Sequence, residues 1–158
     1  MFEIANTNNT NNTNNTNNTN NTKEIKIEYL LQFDGCSKGN PGKAGSGAVI
    51  YKNKNEIWSR SLFIGDKNTN NEAEYIGLII GLEEAINIDI QDLYVEGDSL
   101  LVIKQMKGEY KVKAENLYKL YEKAKKLEKQ FTSVSYNHVY RDKNKRADML
   151  SNLALNNI

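Results

Sequence analysis

The chain has 158 residues, enough for one domain, and carries a formal net charge of +1 at pH 7. It contains no apolar run of the roughly 18 residues that a membrane-spanning helix needs. Its single cysteine excludes an intrachain disulfide, and its single histidine excludes a histidine-rich zinc site. The N-terminus lacks the basic and apolar pattern of a secretory signal, so we expect an intracellular protein, in the cytoplasm or the nucleus, with no membrane partner.

The N-terminal part of the chain repeats threonine and asparagine over residues 6–22 and has no apolar residue there. Such a segment cannot bury enough surface to offset the entropy of folding. We therefore predict a disordered tail over residues 1–22 and a folded domain over residues 23–158. Apolar residues then recur at every second position from Ile25 to Phe33, which predicts a strand that ends at Asp34. A loop of turn-forming residues is expected from Gly35 to Gly42.

Further strands and helices follow from the spacing of apolar residues. Two short strands joined by polar turns complete an antiparallel meander with the first strand, and helical periodicities then alternate with strands. In the last helix, Leu150, Leu153 and Ala154 are expected to face inward. This order predicts an α/β fold with a mixed sheet and helices packed on its faces. The predicted strands cover residues 45–51, 56–64, 92–97 and 131–139, and the predicted helices cover residues 71–86, 99–106, 114–129 and 145–156.

Two of the predicted strands end on an aspartate, Asp34 and Asp98. An isolated strand-ending aspartate is usually ordinary, but parallel neighbouring strands would bring both carboxylates to one sheet edge, where α/β folds bind ligands. Anions that share a partly buried site must either protonate or bind cations, and oxygen ligands without sulfur suit Mg²⁺ or Mn²⁺. Two such ions, about 3.5–4 Å apart, support phosphodiester cleavage.

Charge is unevenly spread along the chain. Residues 23–103 contain 8 basic and 13 acidic residues, a net −5, whereas residues 104–146 contain 13 basic and 5 acidic residues, a net +8. A basic segment beside an acidic one fits a phosphate-binding face next to a cation site. A solvated helix surface rich in lysine and glutamate gives the same pattern, so both interpretations stay open.

Four motifs stand in order on the expected elements: Phe33-Asp34-Gly35 with Asn40-Pro41-Gly42, Thr69 to Tyr75, Gly97-Asp98-Ser99, and Asn144 to Asp148. Together they resemble the motifs of type 1 ribonuclease H, over essentially all of residues 25–155. The resemblance implies an RNase H-like five-stranded mixed sheet, three antiparallel strands followed by two parallel ones, with helices on both faces. The short interval from Met106 to Ala114 indicates a compact form without the basic protrusion of many bacterial members.

The same resemblance implies a catalytic site of four carboxylates, Asp34, Glu74, Asp98 and Asp148, that holds two Mg²⁺ ions, with Mn²⁺ as a substitute. Asp34 is implied as the bridge between the ions, Glu74 and Asp98 as ligands of one, and Asp148 as a ligand of the other. Asp148 also suits a structural role as a first-turn acid, and Glu72 is expected to be a solvated acid there. His138 is implied as an aid to proton transfer or product release, against the alternative of a structural histidine.

The implied partner is an RNA/DNA hybrid duplex. Backbone groups of Gly35, Cys36 and Ser37 are expected near the 2′-hydroxyl that distinguishes RNA from DNA, with the Cys36 side chain as a space-filler. The remaining expected contacts are Thr69 with a DNA phosphate, Asn70 and Asn71 with the minor groove or as helix caps, and Arg141 and Arg146 with phosphate or solvent.

These implications together predict a monomeric, metal-dependent endoribonuclease. It would hydrolyse the RNA strand of RNA/DNA hybrids and leave 3′-hydroxyl and 5′-phosphate ends. Two alternatives stay open: a hybrid-binding module of the same fold that has lost catalysis, and another nuclease of the superfamily, such as an exonuclease or a junction resolvase.

Overall fold

The computed structural model describes residues 3–7 and 22–156. Strand β1 (Glu3–Thr7) pairs antiparallel with β2 (Thr22–Lys26), with Glu3 opposite Lys26 and Thr7 opposite Thr22. The sequence predicts disorder for residues 1–22, but here the two segments satisfy each other's backbone groups as a ladder. Residues 8–21, which make up most of the predicted tail, lie outside the described residues.

A five-stranded sheet forms the centre of the domain, in the order β5-β4-β3-β6-β7. Strands β3 (Tyr29–Lys38), β4 (Gly42–Lys52) and β5 (Asn55–Asn68) form the antiparallel meander. Strands β6 (Asp92–Gly97) and β7 (Ser133–His138) extend the sheet in parallel, β6 beside β3 and β7 beside β6. The predicted mixed sheet is confirmed.

The first strand of this meander begins and ends later than the sequence predicts, at Tyr29 and Lys38 instead of Ile25 and Asp34. Instead of ending at Asp34, β3 continues to Lys38 and pairs Gly35 with Ser46 and Cys36 with Gly45. The predicted loop is thereby reduced to a tight turn around a cis Asn40–Pro41 peptide bond. The turn-forming composition is overridden because β4 offers a paired backbone along this whole length.

Four helices complete the fold: α1 (Asn70–Asn87), α2 (Leu100–Met106), α3 (Glu115–Glu128) and α4 (Lys145–Asn156). The Thr69 hydroxyl accepts a hydrogen bond from the Glu72 N–H at 3.1 Å and so caps α1. Ser99 caps α2 through the Val102 N–H at 3.3 Å. Residues 107–114, all of them described, form no helix. The predicted compact form, without the basic protrusion, is therefore confirmed.

Helices cover both faces of the sheet. Successive side chains of β4 point to opposite faces, and their packing partners show which helix lies on each face. Ala48 and Ile50 join the larger core cluster with α1, whereas Val49 packs on the other face against Ala147 and Leu150 of α4. The inward direction predicted for Leu150 and Ala154 is confirmed. The prediction for Leu153 is wrong, because that side chain is 42% exposed and Leu155 is buried in its place.

None of the helices within the described ranges combines the length and the apolar character needed to cross a membrane.

Candidate active site

An open cleft of about 440 Å³ lies where the parallel pairing of β3 with β6 ends. Phe33 pairs with Gly97 across these strands, so the next residue of β3, Asp34, and the residue that follows β6, Asp98, come together. The parallel neighbours inferred from the sequence are therefore confirmed. The cleft is lined by Asp34, Gly35, Cys36, Asn70, Glu74, Asp98, His138, Tyr140, Arg141 and Asp148.

Three carboxylates meet at the base of this cleft. Asp34, Glu74 and Asp98 each offer an oxygen, and these oxygens all lie within 4.8 Å of one another. Asp34 is 4% exposed and Glu74 is 8% exposed, whereas Asp98 is half-buried. Three acids this close and this dry cannot all carry a full negative charge without a compensating partner.

The pKa values of the two buried carboxyls reflect this repulsion among the three acids. Burial, followed by the negative charge of Asp98, raises the pKa of Asp34 from 3.8 to about 7. Burial, followed by the charge of Asp34, raises the pKa of Glu74 well above its usual value. The backbone N–H of Gly35 lowers the pKa of both carboxyls but does not cancel these effects.

One oxygen of Glu74 gives the cluster the character of a cation site. Glu74 Oε2 is buried and has no hydrogen-bond partner among the described residues. An unpaired buried carboxylate oxygen is costly, and the oxygen-only cluster of Asp34, Glu74 and Asp98 has the ligand chemistry of a hard divalent cation. The residues present therefore fit a metal ion.

The position of Glu74 depends on a close approach between α1 and β3. A side chain at Gly35 would collide with the backbone of Ala73 and Glu74. The buried Ser46 hydroxyl of β4 donates a hydrogen bond to the Ala73 carbonyl at 2.6 Å. These two contacts hold the N-terminal part of α1, which carries Glu74, against β3 and β4.

Asp148 lies beside the three-carboxylate cluster, in the first turn of α4. Its carboxyl contacts that of Asp34, and this contact contributes to the raised pKa of Asp34 after burial and the Asp98 charge. Asp148 Oδ1 also lies 3.5 Å from a guanidinium nitrogen of Arg141 and accepts a hydrogen bond from Asn152 Nδ2 at 3.2 Å. The structure thus brings all four predicted acids to one cleft, with Asp148 at its more exposed rim.

His138 forms another part of the rim, at the end of β7. Its Nε2 atom lies 3.2 Å from the backbone oxygen of Asp98, and its exposed ring meets the Tyr140 ring edge-on, with centroids 5.5 Å apart. The imidazole is therefore adjacent to the carboxylates without contacting their oxygens in the described hydrogen bonds.

Comparison with known proteins agrees with this geometry. The family model described as reverse transcriptase-like matches residues 32–154. The N-terminal RNase H domain of Rv2228c from Mycobacterium tuberculosis is 41% identical and superposes with a TM-score of 0.79, covering 82% of this chain and 94% of that one. RNase H1 from Halobacterium salinarum is 37% identical, also at a TM-score of 0.79, with coverages of 82% and 98%.

The chain belongs to the type 1 ribonuclease H family. A further member, LC11-RNase H1, was solved in complex with an RNA/DNA hybrid; it is 35% identical, with a TM-score of 0.77 and coverages of 82% and 97%. In sequence comparison, the bifunctional protein Rv2228c is 41% identical over 130 residues, which is 82% of this chain but 36% of that protein. This chain therefore spans about a third of the length of its mycobacterial relatives.

The nucleic-acid contacts predicted for this ribonuclease H domain divide into two groups. Gly35, Cys36, Asn70 and Arg141 line the cleft. The lining does not include Ser37, Thr69 or Asn71, and the fold itself uses Thr69 as the cap of α1.

Ser37 and Asn70 are joined to each other. The Ser37 N–H donates to Asn70 Oδ1 at 2.7 Å, and the Ser37 hydroxyl donates to the Asn68 carbonyl at 2.7 Å. The Asn70 N–H in turn donates to Asn40 Oδ1 at 3.0 Å. These bonds fasten the start of α1 to the end of β3. The Asn70 side chain therefore ties the helix to the strand, and the cap of α1 is Thr69 instead.

Two charged residues near the motifs behave differently from expectation. Glu72 points away from the cluster, as predicted, but is not simply solvated, because it accepts hydrogen bonds from Asn68 and Asn116, each at 2.7 Å. Arg146 pairs with Glu56 at 2.8 Å and is not among the residues that line the cleft. Its contact with phosphate stays a prediction.

Sequence reasoning missed three residues that shape this site. Gln32 Nε2 donates to the Lys143 carbonyl at 3.1 Å, and the fully buried Asn144 donates from Nδ2 to the Phe33 carbonyl at 2.9 Å. Both bonds fasten the segment before α4 to the strand that carries Asp34. Tyr140, the third, lines the cleft. The sequence carries a signal for two of them, since Gln32 is a polar residue inside an apolar strand and Asn144 begins the fourth motif.

Proposed function

We propose that this chain is a metal-dependent endonuclease that hydrolyses the RNA strand of RNA/DNA hybrids and leaves 3′-hydroxyl and 5′-phosphate ends. The observation that carries the proposal is the cluster of Asp34, Glu74 and Asp98, with an unpartnered Glu74 oxygen, at the base of an open cleft. Membership of the ribonuclease H family supports this chemistry over the other uses of an acidic cluster.

The proposed cofactor is a pair of Mg²⁺ ions, for which Mn²⁺ can substitute. Asp34 would contact both ions, Glu74 and Asp98 would hold one, and Asp148 the other. When bound, such ions activate a water molecule and stabilise the leaving oxygen of a phosphodiester. The raised pKa values of Asp34 and Glu74 express the same demand, since a buried acid cluster without cations retains protons.

The chain's own residues supply orientation and proton handling around this site. With Nε2 donating to the Asp98 carbonyl, the His138 imidazole keeps Nδ1 available to accept a proton. Arg141 places an exposed cation beside Asp148 at the rim, where a phosphate of the substrate would find a charge-assisted partner. Both groups border the cleft rather than fill it, which leaves room for the sugar–phosphate backbone.

The proposed partner is an RNA/DNA hybrid, bound by a monomer. LC11-RNase H1 was solved with such a hybrid, and the cleft lining of this chain provides Gly35, Cys36 and Asn70 as contact groups. The monomeric state and the intracellular location stay predictions from the sequence.

The test is cleavage of an end-labelled RNA/DNA hybrid with Mg²⁺, with Mn²⁺, and with excess EDTA. We expect the RNA strand to be cut internally with either metal and to remain intact in EDTA. Polymerase extension of the products would report the 3′-hydroxyl end. Cleavage that survives EDTA would refute the metal-dependent mechanism, and tight hybrid binding without cleavage would favour the binding-module alternative.

Substrate comparison and one pair of variants sharpen this test. Single-stranded RNA, duplex DNA and a four-way junction should be cut far more slowly than the hybrid; preferential cutting of the junction would identify a resolvase instead. Asp34→Asn should abolish cleavage, whereas Asp66→Asn, which alters an exposed acid on β5, should leave it unchanged.

A further inference from the structure

One aromatic ring in the cleft is unusually exposed. Tyr140 is 77% exposed, the highest value among the large hydrophobic side chains that the structure describes as exposed. A ring in that position contributes little to folding, since burial of apolar surface is what stabilises the native state. It nevertheless lines the cleft, together with His138 and Arg141.

The backbone around Tyr140 fixes where the ring stands. Its carbonyl accepts a hydrogen bond from the Lys143 N–H at 2.9 Å, so the residue begins the 3₁₀ turn Arg141–Lys143. Asn144 and Gln32 fasten the end of that turn to β3. The edge-on contact with the His138 ring supports one side of the tyrosine. The ring is thus presented to solvent from a well-anchored turn.

The other groups of the cleft do not offer a comparable apolar surface. The lining consists mainly of acids, small residues and polar side chains, with Tyr140 as its one large aromatic ring. The acids would bind cations and Arg141 would bind phosphate, so these groups recognise charge and not the sugar. A flat ring is suited to packing against a sugar or a base.

We propose that Tyr140 packs against a ribose of the RNA strand next to the cleavage point and so strengthens binding of the hybrid over duplex DNA. This inference rests on the proposed function. In a paired duplex the bases are stacked on one another, and the wide, shallow minor groove of an A-like helix displays sugar edges and 2′-hydroxyls instead. A ring that approaches from the cleft therefore meets ribose, and its aromatic face carries the contact.

The experiment compares Tyr140→Ala, Tyr140→Phe and the matched control Tyr118→Ala. Tyr118 is also exposed, at 49%, but lies on α3 and does not line the cleft. We expect Tyr140→Ala to raise KM for the hybrid about tenfold, the order found for loss of an aromatic nucleic-acid contact, with kcat little changed. Tyr140→Phe keeps the ring and should therefore restore the KM that Tyr140→Ala loses, Tyr118→Ala should behave as wild type, and all three variants should keep the wild-type melting temperature.

A binding measurement that involves no cleavage tests this inference independently of the proposed function. In the Asp34→Asn background, fluorescence anisotropy would measure the affinity for the hybrid and for duplex DNA of the same sequence. We expect Tyr140→Ala to weaken hybrid binding about tenfold and DNA binding much less. This comparison stands even if the wild-type chain cleaves nothing.

Three results would overturn the assignment. A fall in kcat at unchanged KM would mean that Tyr140 acts through the His138 ring and does not touch the substrate. An equal loss of affinity for hybrid and duplex DNA would remove the ribose contact. Unchanged binding of both nucleic acids by Tyr140→Ala would show that the ring touches neither.

Discussion

Replacing Asp34 by asparagine should stabilise the metal-free protein while it abolishes catalysis. Asp34 is almost completely buried, and burial together with the charge of Asp98 raises its pKa to about 7. Asparagine has nearly the same shape but no charge. The substitution therefore removes a repulsion that the native chain must sustain whenever its cluster is ionised.

The sign and the size of the effect follow from proton linkage. Between the ordinary pKa of 3.8 and the folded value of about 7, the folded Asp34 keeps a proton that the unfolded chain has released. The folded state then binds more protons, so stability falls as pH rises through this window and levels off above it. Three pKa units correspond to about 4 kcal/mol at 1.36 kcal/mol per unit. We expect Asp34→Asn to recover about 2–4 kcal/mol at pH 8 and almost nothing at pH 3.5.

The assay is urea or thermal unfolding in EDTA at pH values from 3.5 to 8, with Asp66→Asn as the control for removal of an exposed acid. Roughly 2–4 °C per kcal/mol for a domain of this size makes a shift of about 5–15 °C at pH 8. Added Mg²⁺ should then raise the melting temperature of wild type more than that of Asp34→Asn, because a ligand stabilises only the state that binds it. The two proteins should thus converge as Mg²⁺ increases.

Equal stability of wild type and Asp34→Asn at pH 8 in EDTA would refute the reasoning. So would a stability difference that does not change with pH, since linkage requires the gain to appear as Asp34 loses its proton. A destabilised Asp34→Asn would mean that the carboxyl makes interactions that outweigh its burial, and the cluster would then not be a strained cation site.

The other predictions concern the groups that surround the cluster. Glu74→Gln should abolish cleavage with the fold retained, whereas Glu72→Gln should keep activity and cost about 1 kcal/mol through weaker bonds to its partners, both read from turnover and melting curves. Gly35→Ala should destabilise the domain by about 1–3 kcal/mol or prevent folding, because its Cβ meets the backbone of α1; a wild-type melting temperature would contradict this. Asn144→Ala should cost about 1–3 kcal/mol through the lost bond to Phe33 and should lower kcat, which unfolding and steady-state kinetics together would check.

The elements of the fold follow from the sequence where local pattern and tertiary packing agree. Apolar alternation and helical spacing suffice for β6, for α1, and for the order of strands and helices. The end of β3 does not follow, because Gly35 to Lys38 have the composition of a loop and become a strand only when β4 pairs with them. Leu153 is assigned to the wrong face because Leu150 and Ala154 do not by themselves fix the centre of the buried face of α4, which extends through Ser151 to Leu155.

The sequence predicts the four acids of the candidate site but not the residues that position them. Asp34 and Asp98 stand out as strand-ending residues, and family resemblance adds Glu74 and Asp148. Gln32 and Asn144, by contrast, bond to backbone carbonyls at a sequence separation of 111 residues. A local sequence pattern cannot predict a hydrogen-bond partner that lies so far away in the chain. Tyr140 gives no signal either, since an exposed tyrosine becomes informative only when the cleft around it is known.

Close backbone contacts hold together the segments of the chain that carry the carboxylates. Gly35 lets the first turn of α1, with Glu74, rest directly on β3. Gly47, which pairs with Asp34 across the ladder, lets α4 rest on β4 at Ala147, the residue before Asp148. Because both helices touch the sheet through main-chain atoms, the backbone segments that carry Glu74 and Asp148 cannot move away from β3 and β4. The fold therefore holds their mutual repulsion in place, and bound cations or retained protons are the two ways left to relieve it.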